Sequence, residues 1–188
     1  MKRIAIFASG SGSNAERITS YFAGNERLSI DLFLTNNPQA GVIERGRRLG
    51  VPTIIFDKKT FSQTEKIVNI LQKQQIDWVI LAGFLWLIPN NLIKAFPNKI
   101  INIHPALLPK YGGKGMWGHF VHEAVVNNKD KESGITIHYV NEHYDEGEVI
   151  FQAKCEVLET DLPDDVATKV QLLEHKHFPE IVEKLILG

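Results

Sequence analysis

Short β-rich apolar runs alternate along this chain with longer segments of helical period, and that alternation limits the folds open to it more than any other feature. Ile4-Ala5-Ile6-Phe7 reads as a strand, and Ala15 to Phe22 as a helix that Asn14 can cap. Ile30 to Leu34 is a second strand, ending in the polar turn Thr35-Asn36-Asn37-Pro38. Val42 to Leu49 follows as a helix closed by Gly50. Pro52 to Phe56 is a third strand, Phe61 to Gln74 a helix, and Trp78-Val79-Ile80-Leu81 a fourth strand. Asn91 to Phe96 is a short helix and Ile100 to Ile103 a fifth strand. This repetition predicts an α/β class: a doubly wound, mostly parallel sheet with helices on both faces. Further on, Gly134 to Val140 alternates and Val149 to Val157 is extended, which suggests a hairpin-like pair around Asp145-Glu146-Gly147. A long helical segment, Asp164 to Leu187, is expected to be interrupted near Pro179.

At 188 residues, with no repeat, linker or low-complexity tract, the chain is expected to form one domain over 1–188. The 21 Lys+Arg nearly balance the 22 Asp+Glu, which argues against gripping a nucleic-acid backbone by bulk charge. Cys155 is the sole cysteine, so neither a disulfide framework nor a cysteine-rich zinc site is expected, and a reducing cytoplasm is the natural compartment. The apolar run from Ile4 to Ala8 is too short for a signal-peptide core. The longest apolar stretch, Trp78 to Ile88, is broken by Gly83 and falls short of the ~20 residues a membrane-spanning helix needs. No membrane partner is expected.

Gly10-Ser11-Gly12-Ser13-Asn14-Ala15 lies between the first strand and first helix and fits the dinucleotide fingerprint G-x-G-x-x-G/A. That fingerprint also needs an acid at the carboxyl end of the second strand. Thr35, Asn36 and Asn37 stand there instead, while Asp31 sits near the other end. The physics of the loop survives without a dinucleotide: glycines admit a close backbone approach, and the N–H groups opening a helix bind an anion. A phosphomonoester suits it as well as a pyrophosphate, and a plain tight turn is the bland alternative.

Asn102-Ile103-His104-Pro105 closes the fifth strand, at the sheet edge where ligands bind in open α/β folds. Residues i and i+2 of a strand share a face, so an amide and an imidazole enter one crevice. The pair suits carbonyl chemistry, the amide holding a developing oxyanion and the imidazole moving protons. The following segment, Ala106 to Gly118, holds four glycines, a proline and two lysines, as a mobile active-site loop would. Asp145 can fold over the crevice, orient His104 and raise its pKa. His119, His122 and Glu123 have a spacing that can hold a metal, but no third ligand cluster completes a site, so no metal is expected. His138 and His143 read as structural or surface residues.

On these residues, and on Leu81-Ala82-Gly83-Phe84, Leu107-Leu108-Pro109-Lys110-Tyr111 and Gln171-Leu172-Leu173-Glu174-His175, the chain resembles the phosphoribosylglycinamide formyltransferase family of folate-dependent formyltransferases. The resemblance covers essentially the whole chain. It implies a Rossmann-like formyltransferase fold and formyl transfer from 10-formyltetrahydrofolate to the amine of phosphoribosylglycinamide in purine synthesis, without metal or ATP. Relatives acting on methionyl-tRNA, or deformylating the folate, resemble this domain with an added one, for which the length leaves no room. By position, the resemblance assigns Asn102, His104 and Asp145 to catalysis. Gly12, Ser13 and Asn14 would hold the substrate phosphate, with Lys110, Gln171 and Glu174 around the remaining nucleotide. The pterin would lie against Leu85, Trp86, Leu87 and Ile88, and against Asn141, Glu142, His143, Tyr144 and Asp145. The implied partners are small molecules, with the protein a monomer or homodimer. Two positions depart from the family pattern: Gly112 replaces a proline, and Trp86 stands where relatives often carry arginine. The rival readings are a hydrolase that gives the formyl group to water and, on the glycine loop alone, a dinucleotide-dependent oxidoreductase.

Overall fold

The computed structural model describes residues Met1–Gly188. Its seven strands are β1 (Lys2–Phe7), β2 (Leu28–Thr35), β3 (Thr53–Ile55), β4 (Trp78–Ala82), β5 (Ile100–His104), β6 (Glu132–Tyr139) and β7 (Val149–Glu156). Its helices are α1 (Ser13–Tyr21), α2 (Gly41–Leu49), α3 (Lys58–Ser62), α4 (Lys66–Lys73), α5 (Asn90–Ala95), α6 (His119–Asn127) and α7 (Pro163–Leu187). All strands join one sheet in the order β3-β2-β1-β4-β5-β6-β7. β1 to β5 pair in parallel, while β6 and β7 run antiparallel. This is the doubly wound, mostly parallel sheet expected from the alternation.

Strand alternation splits the interior into two cores, one on each face. Along β1, Ile4 and Ile6 enter a cluster of 24 residues with α1 and α7. Ala5 and Phe7 enter a cluster of 17 on the other side, where Phe56, Phe61 and Phe84 surround Phe7. A buried strand covered on both faces needs apolar residues at successive positions, which is why these runs read as continuous.

Local chemistry shifts several boundaries. The helix expected from Phe61 to Gln74 is two, α3 and α4. The Thr64 hydroxyl donates to the Thr60 carbonyl at 2.8 Å and accepts from the Lys66 N–H at 3.3 Å, diverting the backbone that would continue the helix. Asn14 does not cap α1: Gly12 does, in the left-handed region at φ 76°, and the Asn14 side chain reaches elsewhere. The expected interruption of α7 is also absent, and the helix runs through Pro179. A proline blocks the carbonyl four residues earlier, and the freed His175 oxygen accepts from Arg17 Nε of α1 at 3.0 Å. No helix is long and apolar enough to cross a membrane.

Strand order reverses across the β1–β4 neighbour pair, whose strands stay parallel: after β1 the sheet grows toward β3, and from β4 toward β7. In such sheets the crevice outside the carboxyl ends at the reversal receives ligands. The glycine loop leaves β1 there, and Asn102 and His104 lie two strands away.

Candidate functional site

A cleft of about 1040 Å³ opens along this edge, between the loop after β1, the ends of β4 and β5, the segment after β5, and one side of α7. Its first end is the glycine loop. An alanine at Gly12 would place its Cβ 2.6 Å from Val42 Cβ, so close packing of α2 on the loop demands glycine. The first N–H groups of α1 have no intrahelical partner, and no side chain caps them. They point an anion site at the cleft. Arg45 fixes the loop from outside, its Nε donating to the Ser11 carbonyl at 2.7 Å.

α7 closes this end. Gln171 Nε2 donates to Ser13 Oγ at 3.4 Å, and Asn14 Nδ2 to Glu174 Oε2 at 2.8 Å. Residues 160 positions apart therefore share one wall. Burial pushes the Glu174 carboxyl above its usual range, and the Asn14 bond opposes this more weakly. Asn14 Oδ1 is buried with no partner in the protein. Asp31 is not near the loop: it pairs with Arg3 at 2.5 Å, as its position near the other end of β2 implied.

The second end is a polar cluster on the face that elsewhere carries the smaller core. β5 sets Ile100, Asn102 and His104 on one face, and Ile100 belongs to that core. β6 pairs Asn102 with His138 and His104 with Thr136. Where helices no longer cover this face, amide, imidazole and hydroxyl replace isoleucine. His138, expected as a structural or surface residue, thus stands buried directly behind Asn102. Its side chain is 3% exposed. Its Nδ1–H donates to the Tyr139 carbonyl at 2.7 Å, leaving Nε2 to accept from Asn102 Nδ2 at 3.1 Å. The signal for it was a histidine sharing a strand face with Thr136, opposite the apolar Ile135 and Ile137.

Asp145 arrives from the loop between β6 and β7. Its Oδ1 lies 3.5 Å from His104 Nδ1, 3.5 Å from Asn102 Nδ2 and 3.6 Å from His138 Nε2. Its Oδ2 accepts from the Gly113 N–H at 2.9 Å. Backbone φ at Asp145 is 56°, a left-handed conformation that a non-glycine residue holds only under constraint. Burial pushes this carboxyl up; His138 and His104, in their charged forms, and the Gly113 N–H hold it below its ordinary value. For His104 the balance runs the other way. Burial, the largest influence, lowers its pKa, and Asp145 and the Tyr111 carbonyl only partly offset it. The expectation that Asp145 raises the His104 pKa gives the right sign for that contact and the wrong sign for the sum.

The remaining expected site residues divide. Leu85 and Tyr144 line the cleft. The Leu87 N–H donates to Tyr144 Oη at 3.0 Å, tying the two expected pterin walls together. Ile88 is 3% exposed within the smaller core. Trp86 packs on Phe56, Phe61 and Phe84, with Lys58 Nζ 4.6 Å above its ring. Asn141, Glu142 and His143 lie in the loop before Tyr144 and off the cleft lining, where Asn141 Oδ1 accepts from the His143 N–H at 3.0 Å. Lys110 is not brought to the cleft. Its ammonium pairs with Asp130 at 3.3 Å in a separate depression. His122, in contrast, lines the cleft, 5% exposed, with Nδ1 unpartnered, and burial lowers its pKa to about 4.

A family model described as formyl transferase matches residues 2–182. A chloroplastic phosphoribosylglycinamide formyltransferase of Arabidopsis thaliana is 41% identical over 96% of this chain and 64% of its own length. The chain thus spans under two thirds of that plant relative. A phosphoribosylglycinamide formyltransferase of Bacillus subtilis is 36% identical over 99% of this chain and 95% of its own. The crystal structure of the Bacillus halodurans enzyme of that name superposes with a TM-score of 0.88 at 39% identity, covering 98% of this chain and 95% of the other.

Proposed function

The chain belongs to the formyl transferase family, and we propose that it carries a formyl group from 10-formyltetrahydrofolate to the amine of phosphoribosylglycinamide, a step of purine synthesis. The observation that carries this reading is one cleft with a helix start that no side chain caps at one end and an amide–imidazole–carboxylate cluster at the other. A substrate anchored by its phosphate on Gly12, Ser13 and Asn14 can present an amine to Asn102, His104 and Asp145. Gln171 and Glu174, joined to that loop, would contact its middle. Leu85 and Tyr144 would face the pterin, with Trp86, Leu87, Ile88 and Asn141 to His143 shaping the wall behind.

The amine nitrogen attacks the formyl carbon, the carbonyl oxygen becomes an oxyanion, and the bond to N10 of the folate breaks. One proton passes from the amine to N10. The donor is already an acylated amine, and one C–N bond is exchanged for another, so the proposed step uses neither ATP nor a metal. His104 has the means to move that proton. Nε2 faces a carbonyl oxygen, which can only accept, so the neutral ring carries its hydrogen there and offers a lone pair at Nδ1. Its lowered pKa keeps it neutral until the amine's proton arrives, and ionised Asp145 then stabilises the imidazolium. Asn102 Nδ2 has a firm bond to His138 and a weaker 3.5 Å contact to Asp145. The weaker contact can be exchanged for the oxyanion.

Folate absorbance followed with purified protein and 10-formyltetrahydrofolate, with and without phosphoribosylglycinamide, tests the reading. Deformylation that requires the ribonucleotide is the expected result. Equal loss without it would make water the acceptor and overturn the proposal.

A further inference from the structure

The proposed chemistry needs the lone pair of His104 at Nδ1, yet the most polar neighbour of that nitrogen works against it. Asp145, 3.5 Å away, is an acceptor and would draw the ring hydrogen to Nδ1. Something must hold the hydrogen on the opposite side. We infer that Tyr111 is the positioning residue that sets the tautomer of His104, its carbonyl holding the Nε2–H while its side chain is moored outside the cleft to Asp130 and Asn128.

The geometry runs in one continuous chain. His104 Nε2 lies 2.7 Å from the Tyr111 carbonyl, shorter than any other contact of that ring. Tyr111 has φ 55°, a conformation that a bulky side chain does not adopt unaided. What holds it is the far end of the same residue. Tyr111 Oη donates to Asp130 Oδ2 at 2.7 Å and accepts from Asn128 Nδ2 at 2.8 Å. Both partners sit in the turn that ends α6, where the Asn128 and Asp130 N–H groups bond back to Ala124 and Val125. Lys110 bonds Asp130 from the next position, so the carboxylate is held from two sides. A phenol fixed at its tip and a backbone fixed at its strained φ leave the carbonyl little freedom to turn from His104. The carbonyl thus does for this imidazole what a carboxylate does in a three-residue relay, with the opposite choice of nitrogen. Asp130 and Asn128 act only through Tyr111 and touch no reacting atom.

The test uses the full chain with ¹⁵N-labelled histidine. Ring-nitrogen shifts report the tautomer, and the difference spectrum of His104→Gln identifies His104 among the seven histidines. In the unmodified protein His104 is expected as the Nε2–H form. In Tyr111→Phe and Asp130→Ala the population moves toward Nδ1–H. Asp130→Asn retains an oxygen to accept the phenol and keeps the Nε2–H form. This proposal rests on the formyl-transfer reading in its kinetic arm alone. There, Tyr111→Phe lowers kcat about tenfold to a hundredfold, as a misaimed group does. KM for both substrates stays within about twofold, because no binding contact is removed. An unchanged His104 tautomer in both Tyr111→Phe and Asp130→Ala overturns the inference, and so does a kcat loss with no change in the ring spectrum. If the protein transfers no formyl group, the spectra still decide, and if Asp130→Ala does not fold, Tyr111→Phe still decides.

Discussion

Replacing Gly12 with alanine tests whether the anion loop is held open by packing rather than by chance. The backbone there has φ 76°, and the added Cβ would stand 2.6 Å from Val42 Cβ, 2.7 Å from its Cγ2 and 2.8 Å from its Cα. Two costs follow. A left-handed alanine costs roughly 1–2 kcal/mol, and overpacking a filled site costs about 1–3 kcal/mol. Rotating Val42 offers no escape, because its Cβ and Cα are fixed by α2, whose start is bonded to the loop through Val42 N–H and the Gly10 carbonyl at 3.2 Å. A loss of about 2–5 kcal/mol corresponds, at about 2 kcal/mol per molar urea, to a midpoint lower by about 1–2.5 M. Gly10 is the internal control, since a Cβ there meets nothing within 4 Å. Gly10→Ala should stay within about 0.5 kcal/mol of the unmodified protein. Urea unfolding of both variants, with KM for the ribonucleotide, decides. A midpoint within about 0.3 M for Gly12→Ala, or an equal fall for Gly10→Ala, would refute the packing argument.

Three further outcomes are expected. Asn102→Ala should lose about 10²–10³ in turnover and His104→Ala about 10²–10⁴, while calorimetry shows the ribonucleotide still bound; near-normal turnover in His104→Ala would contradict its assigned role. The half-buried Glu174 carboxylate costs folding energy once it ionises, because removal of water around it raises its folded pKa above the ordinary 4.5. Glu174→Gln should therefore unfold at higher urea at pH 7.5, with the advantage vanishing below about pH 4.5, and weaker ribonucleotide binding in the same variant would separate its binding task from its structural cost. Buried His122, neutral in the fold, contributes stability that is full above its ordinary pKa of 6.5 and lost as pH falls toward about 4. His122→Gln should flatten that acid loss in an unfolding series from pH 7 to pH 4, and an unchanged slope would show that His122 does not drive it.

Much of the architecture was legible in the chain because its signals are local. Period two against period 3.6 sets the order of strands and helices, Gly50 stops α2 as expected, and the Asn-x-His pair falls on one strand face. The misreadings have one source. Thr64 splitting a helix, Arg17 accommodating Pro179 and Asn14 reaching α7 each depend on a partner hydrogen bond that periodicity does not encode.

The candidate site divides along the same line. Which residues carry chemistry, and the glycine loop that precedes them, could be read from residue types at short spacing. His138 could not, because only the antiparallel register of β5 and β6 sets it opposite Asn102, 36 positions away. Nor could the separation of Lys110 from the cleft, one residue from a tyrosine that bonds His104. The protonation of His104 belongs wholly to the tertiary structure. Its neighbours could be guessed, but the sign of its shift depends on how much water the fold removes around the ring, and burial outweighs the carboxylate beside it.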